Sequence, residues 1–290
     1  MIVKIRKVAV LGAGLMGHGI AQVAAQVAKY EVSLRDVRQE FLDKGMTMIQ
    51  GSLQKFVDKG KMSVEEISET LGRIHPTLDI EEAVIDADLI IEAVPEKIEV
   101  KKSVLEEVEK YAKKDATMTS NTSSISITSI ASATSRPEKF CGMHFFNPPQ
   151  LMKLVEVVRG AKTSDETVDI VVEAAKKMGK EPVVVKKDSA GFVVNRILIP
   201  VLNEALYLVW EGVADRDEID KAVRLGLNWP MGPLRLLDCI GLDTTLAILE
   251  VFQRELGDLK YRPCPLLTQM VKAGLLGRKT GKGFYDWEKK

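Results

Sequence analysis

The stretch VAVLGAGLMGHGIA, residues 8–21, limits the possible folds more than any other part of the chain. An apolar β-rich run, IRKVAVL at 5–11, stops at a glycine, and a small-residue helical run follows from about 15 to 28. Gly12, Gly14 and Gly17 fall in the pattern G-x-G-x-x-G. On its own the pattern is weak, because small-residue turns are common. The second short strand, EVSLR at 31–35, ends at Asp36, nineteen residues beyond Gly17, and this context strengthens it. A strand, a glycine turn, a helix and a second strand closed by an acid form a βαβ unit that binds a dinucleotide. Gly12 permits the tight turn, Gly14 lets backbone approach a pyrophosphate, and Gly17 lets helix and strand pack closely. The helix N-terminus then offers unpaired N–H groups and positive potential to the phosphates. A carboxylate at Asp36 accepts hydrogen bonds from ribose hydroxyls and repels a 2′-phosphate, which favours NAD over NADP. Arg38 lies close enough in sequence to soften that preference. His18 has no partners at metal-ligand spacing and is expected on the surface of the first turn or beside the phosphates.

The same N-terminal run superficially resembles a secretory leader, with basic residues before apolar ones. Four glycines at 12, 14, 17 and 19 suit a turn better than an apolar signal helix. A second apolar run, FVVNRILIPVLNEALYLVW at 192–210, is long enough to span a bilayer. It carries Asn195, Arg196, Asn203 and Glu204, which are costly in lipid, so it reads as a core helix.

Beyond the second strand, a polar amphipathic stretch from about Gln39 to Leu71 predicts two helices split near Gly60 and Ser63. ADLIIEAV at 87–94 predicts a buried strand, followed by a Glu/Lys-rich helix to about Lys113. DATMTSNTSS predicts a strand ending in a hydroxyl-rich loop. KFCGMHFF and KLVEVVRG predict further strands, residues 165–179 a helix, and EPVVVKK at 181–187 a last strand. Alternating strands and helices imply a doubly wound, mostly parallel sheet with helices on both faces. After Lys187 the pattern turns helical, with breaks at Gly212, NWPMGP and RPCP. The fold class is therefore α/β followed by an all-α C-terminal domain. The domains are expected at 1–186 and 187–290.

His144 is one of three histidines and lies just before Asn147 and the Pro148-Pro149 break, with Glu156 twelve residues on. It is either a satisfied structural histidine or a general base with a carboxylate partner. A turn at the two prolines would let HFF and KLVEV lie side by side. Glu156 would otherwise face solvent from an alternating strand.

The ordered motifs GAGLMGHGIA, EAVPEKIEVK, SNTSSISIT, HFFNPPQLMKLVE, GFVVNRIL, NWPMGPLRLLDCIGLDT and RKTGKGFYDW run across nearly all 290 residues. Taken together they resemble the L-3-hydroxyacyl-CoA dehydrogenase family. The resemblance implies a Rossmann-like NAD-binding domain, a helical C-terminal domain carrying a dimer interface, and an acyl-CoA in the cleft between them. It implies NAD-dependent interconversion of a 3-hydroxyacyl-CoA and a 3-ketoacyl-CoA, with 3-hydroxybutyryl-CoA the expected substrate. Carried over motif by motif, His144 and Glu156 match the catalytic pair, and Ser123 and Asn195 the substrate-side serine and asparagine. Cofactor contacts fall on the loop Gly12, Gly14, Leu15, Met16 and Gly17, and on Asp36, Glu96, Lys101, Ser123, Asn147 and Lys279. CoA contacts fall on Ser52, Lys59 and Lys101.

Oxidising a secondary alcohol moves a hydride to the nicotinamide and a proton to a base. An imidazole suits the second task because it titrates near neutral pH. A carboxylate beside it fixes the tautomer and stabilises the cation that forms. The plainer readings are a helix N-cap for Ser123, a mid-helix amide for Asn195, a solvated helix start for Glu96 and Lys101, and a surface charge for Lys279. Two other functions keep the same motifs: oxidation of a free 3-hydroxy acid or sugar acid, and a nucleotide-binding protein without chemistry. Lys55, Lys59 and Lys61 favour a CoA thioester over the free acid.

Lys plus Arg and Asp plus Glu number 41 each, so no net field draws nucleic acid or an anionic membrane. Hydrophobic residues at 46% and charged residues at 28% fit a soluble globular chain. Cys141, Cys239 and Cys264 are odd in number and lack metal spacing, so no metal is expected and the cytoplasm is the expected compartment. The Leu, Val and Ile content of 192–252 exceeds the needs of one small core and points to a homodimer.

Overall fold

The computed structural model of the chain describes residues 5–287, which fall into two compact units divided between Ser189 and Ala190. The first unit holds an eight-stranded sheet. Strands β1 (Lys7–Leu11) and β2 (Glu31–Arg35) are joined through α1 (Gly17–Gln26). Helices α2 (Gln39–Asp58) and α3 (Val64–Gly72) lead to β3 (Ile74–Thr77), and α4 (Ile80–Val84) to β4 (Leu89–Glu92). There follow α5 (Ile98–Tyr111), β5 (Thr117–Ser120), α6 (Ile127–Ala131), β6 (Phe140–Phe145), β7 (Leu154–Val158), α7 (Asp165–Lys177) and β8 (Glu181–Val185).

The strand order is β3-β2-β1-β4-β5-β6-β7-β8, and every pair is parallel except β6–β7. The order reverses at β1, so the connections after β1 and β4 leave the sheet in opposite directions and open a crevice at the strands' carboxyl ends. Central strands such as β4 (LIIE) are buried at every position, as helices on both faces require.

The long amphipathic stretch divides where expected. Gly60 sits at φ 65°, and Ser63 and Glu66 form a reciprocal capping box that starts α3. On α2, Leu42, Ile49 and Leu53 recur at helical spacing and are fully buried in the main core. Two elements escape sequence reading. Strand β3 is an edge strand, IHPT, with a proline and three residues that are not buried, so it carries almost no apolar signal. Helix α4 is one short turn and a half, started by an Asp79 cap.

The second unit contains α8 (Val194–Trp210), α9 (Arg216–Gly226), α10 (Pro233–Ile240), α11 (Leu242–Leu256) and α12 (Pro265–Lys272) around a core of its own. Helix α8 includes the long apolar run. It buries Ile199, Leu202, Ala205 and Leu206 but leaves Ile197 and Val201 exposed, so it lines the core with one face only. Among the described residues no helix is long and apolar enough to cross a membrane. The buried Asn203 amide donates to the Arg262 carbonyl and accepts from the Cys264 N–H, which fixes the RPCP segment. Two buried carboxylates fasten the chain's last described residues. Asp238 accepts from the N–H groups of Phe284 and Tyr285 and from the Trp287 indole, and Asp220 from the Tyr285 hydroxyl.

Candidate active site

The glycine turn joins β1 to α1 at the carboxyl edge of the sheet. Gly12 has φ 106°, and a Cβ there would lie 2.6 Å from the Ala93 carbonyl oxygen. At Gly17 a Cβ would lie 1.7 Å from the Gly12 carbonyl oxygen. The fold itself demands both glycines. Gly14 differs, since a Cβ there meets nothing within 4 Å. The N-cap residue of α1, Met16, makes no side-chain cap hydrogen bond. A bare helix start facing open space beside an unneeded glycine fits a pyrophosphate. Leu15 stands exposed on the turn, and Met16 packs against the core at the helix N-cap.

His18 is not on the first-turn surface, one of the two places expected of it. It is 5% exposed, and its Nδ1 lies 2.7 Å from the Gly14 carbonyl oxygen. A carbonyl only accepts, so Nδ1 carries the hydrogen and the ring anchors the loop. Asp36 closes β2. Its two carboxylate oxygens accept from the N–H groups of Ala13 and Val37, each at 2.7 Å. Each oxygen keeps a second lone pair for a ligand hydroxyl.

The antiparallel ladder sets the His144–Glu156 pair. His144 on β6 and Glu156 on β7 are direct partners in register. His144 Nδ1 lies 2.8 Å from Glu156 Oε2, with His144 5% exposed and Glu156 fully buried. The solvent-facing alternative for Glu156 is therefore overturned. The reversal between the strands runs through a cis Asn147–Pro148 peptide, with Asn147 exposed. The neighbouring Phe145 N–H donates to Asn121 Oδ1 at 2.8 Å, tying β6 to the loop after β5.

That loop is organised by a residue the sequence reading missed. Glu92, buried at the end of β4, accepts from Lys101 Nζ at 2.9 and 3.1 Å, from Ser120 Oγ and from the Val94 N–H. An acid at the end of an apolar strand, nine residues before a lysine on the next helix, was the available signal. Lys101 also reaches Glu96 Oε2 at 3.2 Å. Glu96 Oε1 gathers the Thr122 hydroxyl at 2.6 Å, the Ser123 N–H at 3.0 Å and the Ser124 N–H at 3.1 Å. Loss of water pushes the Glu96 carboxyl up. The Lys101 ammonium and the Thr122, Ser123 and Lys101 hydrogen bonds outweigh that and hold it below the usual carboxylate range.

Two expectations change here. Lys101 is not at a solvated helix start: it is 1% exposed, and its donors are engaged by Glu92, Glu96 and the Val94 carbonyl. Such an ammonium is not presented to a CoA phosphate, and its place is to hold the two glutamates. Ser123 is not an N-cap. Ser126 caps α6, and the Ser123 hydroxyl lies 3.4 Å from Glu96 Oε1. On α2, Ser52 Oγ accepts from Gln150 Nε2 at 3.3 Å, while Lys59 is exposed at the helix C-cap. Seven residues apart, the two share one helix face.

In the second unit, Asn195 occupies the first turn of α8 rather than its middle and is half-buried. Lys279 lies on a short turn, Arg278–Thr280, and pairs with Asp243. Among the described residues no group of three or more His, Cys, Asp or Glu is placed to hold a metal ion. Burial pushes the Cys141 thiol up to about 12, which removes it as a nucleophile at neutral pH.

A reversed strand order, a glycine turn against a bare helix start and an acid closing β2 define a dinucleotide-binding α/β unit. Known proteins narrow this class. The NAD binding domain of 3-hydroxyacyl-CoA dehydrogenase matches residues 7–189, and the C-terminal domain of 3-hydroxyacyl-CoA dehydrogenase matches residues 191–287. The chain is 53% identical to a probable 3-hydroxybutyryl-CoA dehydrogenase of Deinococcus radiodurans, over 97% of this chain and 100% of that one. It is 48% identical to a 3-hydroxybutyryl-CoA dehydrogenase of Bradyrhizobium diazoefficiens, over 99% and 97%. Its structure resembles the crystal structure of (S)-3-hydroxybutyryl-CoA dehydrogenase from Ralstonia eutropha, with TM-score 0.94 and 44% identity over 99% of this chain and 100% of that one. The chain belongs to the 3-hydroxyacyl-CoA dehydrogenase family and is an NAD-dependent oxidoreductase.

Proposed function

We propose that the chain oxidises the 3-hydroxyl of a short 3-hydroxyacyl-CoA, 3-hydroxybutyryl-CoA first among them, and runs the reverse reduction of the 3-ketoacyl-CoA. The buried His144–Glu156 pair, 2.8 Å apart, carries this reading. When bound, NAD supplies the hydride acceptor. The glycine loop would hold its pyrophosphate and Asp36 its ribose hydroxyls. A carboxylate only accepts, so Nδ1 of His144 keeps its hydrogen toward Glu156, and Nε2 is left with the lone pair that takes the substrate hydroxyl proton. The imidazolium that forms is held by the Glu156 anion beside it. In the reverse direction the same Nε2 returns the proton to the ketone oxygen.

Ser123 is assigned to the substrate oxygen, with Glu96 and Lys101 ordering its loop. Asn195, Asn147 and Lys279 are assigned as substrate or cofactor contacts by their motifs, and Ser52 and Lys59 face the CoA. The first unit, expected to end at 186 and dividing from the second after Ser189, is assigned to NAD, and the second to substrate and dimerisation. The working form is proposed to be a homodimer in the cytoplasm. The relatives' names support the CoA thioester over a free hydroxy acid.

The test is NADH formation with 3-hydroxybutyryl-CoA, with free 3-hydroxybutyrate, and across acyl chains from C4 to C16. Turnover of the thioester alone, abolished in His144→Gln, is the expected result. Full turnover by His144→Gln removes the base assignment, and equal turnover of the free acid removes the substrate assignment.

A further inference from the structure

Lys180 stands between α7 and β8, one residue before the strand that flanks Glu156. It is 7% exposed. Its ammonium donates to the Pro149 carbonyl at 2.5 Å and to the Met152 carbonyl at 2.9 Å. No carboxylate pairs with it among the described residues, so a buried cation rests on two backbone carbonyls of one turn. Leaving an ammonium without a counter-ion is costly, and the cost shows in a pKa held below the usual lysine range by burial.

The turn it grips is the connection from β6 to β7, the strands that carry His144 and Glu156. Within it, the N–H groups of Leu151 and Met152 both return to the Pro148 carbonyl. At its far end, the Glu181 N–H donates to the Lys153 carbonyl. Its other side seats on the nucleotide-binding helix: a Cβ at Gly19 of α1 would lie 2.8 Å from Gln150 Oε1 and 2.9 Å from Pro149 Cδ. Gln150 also donates to Ser52 on α2. The turn thus touches α1, α2 and the α7–β8 junction, and only the last contact is made by a charge.

We propose that Lys180 is a positioning residue, whose ammonium clamps the 148–152 turn and so holds His144 and Glu156 at working separation. The inference rests on the assignment of His144 as the base. Lys180 is buried and spends its ammonium on the turn itself. A compact ammonium suits the task because its three donors can meet two converging carbonyls, where a methionine of similar length leaves both unmet.

The experiment compares Lys180→Met and Lys180→Gln with the parent, each also in a His144→Gln background, using kcat and KM for NADH and acetoacetyl-CoA. For Lys180→Met the expected result is a fall in kcat of about tenfold, with both KM values within about twofold, since ground-state binding is untouched. Lys180→Gln keeps a neutral amide with two N–H donors and should recover part of the loss. In the His144→Gln background the same substitutions should change the residual rate less than about twofold, because a clamp for an absent base has nothing to hold. A folded Lys180→Met with parental kcat overturns the proposal, and so does an equal loss in the His144→Gln background. If Lys180→Met fails to fold, Lys180→Gln is judged by the same two criteria. Parental turnover by His144→Gln alone would overturn the base assignment and this inference together, whereas a silent Lys180 with an essential His144 overturns this inference only.

Discussion

Replacing Glu156 by glutamine keeps the side chain's size and removes its charge. The carboxylate is fully buried and lies 2.8 Å from His144 Nδ1, so water screens it little. Taking charge centres about 4 Å apart and an effective dielectric of about 20, the attraction between imidazolium and carboxylate is about 4 kcal/mol. The glutamine carbonyl still accepts from Nδ1–H, and a neutral bond returns about 1–1.5 kcal/mol of this. The net loss is therefore about 2.5–3 kcal/mol, at the point where the imidazole gains its proton. At about 1.4 kcal/mol per tenfold, kcat should fall roughly 60- to 140-fold. The KM values should move little, because the neutral imidazole of the ground state needs the anion less. The assay is the initial rate of NADH formation with 3-hydroxybutyryl-CoA at saturation, on protein whose melting temperature matches the parent. A loss smaller than about threefold would refute the reasoning, since it would mean that no cation forms beside residue 156 during turnover.

Gly17→Ala should prevent folding or lower the melting temperature sharply, because its methyl would sit 1.7 Å from the Gly12 carbonyl oxygen. Gly14→Ala, with nothing within 4 Å, should melt like the parent yet raise the NADH dissociation constant about tenfold or more, as calorimetry would report. Equal melting of the two variants would contradict the packing described here. Asp88 gives a pH test. Burial pushes its carboxyl up, but the Lys113 ammonium and the N–H groups of Arg6 and Lys7 pull it further down, so its folded pKa lies below the ordinary value. The stability it adds is therefore present above about pH 4 and is lost as pH falls through the lowered value. Asp88→Asn should be less stable in urea at pH 7, with the gap closing below about pH 4. A gap independent of pH would remove the charge from the explanation.

The strands and helices around the nucleotide loop were legible because the signal there is local. A buried parallel strand is a run of apolar residues, and the glycines answer to neighbours a few positions away. Strand β3 was not legible because an edge strand needs little apolar surface, and its proline argues against a ladder. The His144–Glu156 pairing was readable as a possibility from the two prolines, but its burial was not. The fate of Lys101 was hidden because a Glu/Lys-rich helix reads as solvated, while the acid that draws the ammonium inward sits on the preceding strand. Lys180 and His18 follow the same rule: each is engaged by backbone carbonyls, which leave no trace in residue types.

The cross-strand alignment of residues 144 and 156 has a consequence for changes in chain length nearby. Met143 faces Val157 and Phe145 faces Val155 on either side of the pair. If a deletion between the two strands let them re-pair one step out of phase, a valine would stand opposite the imidazole and Glu156 would turn to the other side of the sheet. Spacing in this hairpin is therefore as binding on the chemistry as the identity of the acid, and a shortened hairpin would keep every catalytic letter of the sequence while dismantling the pair.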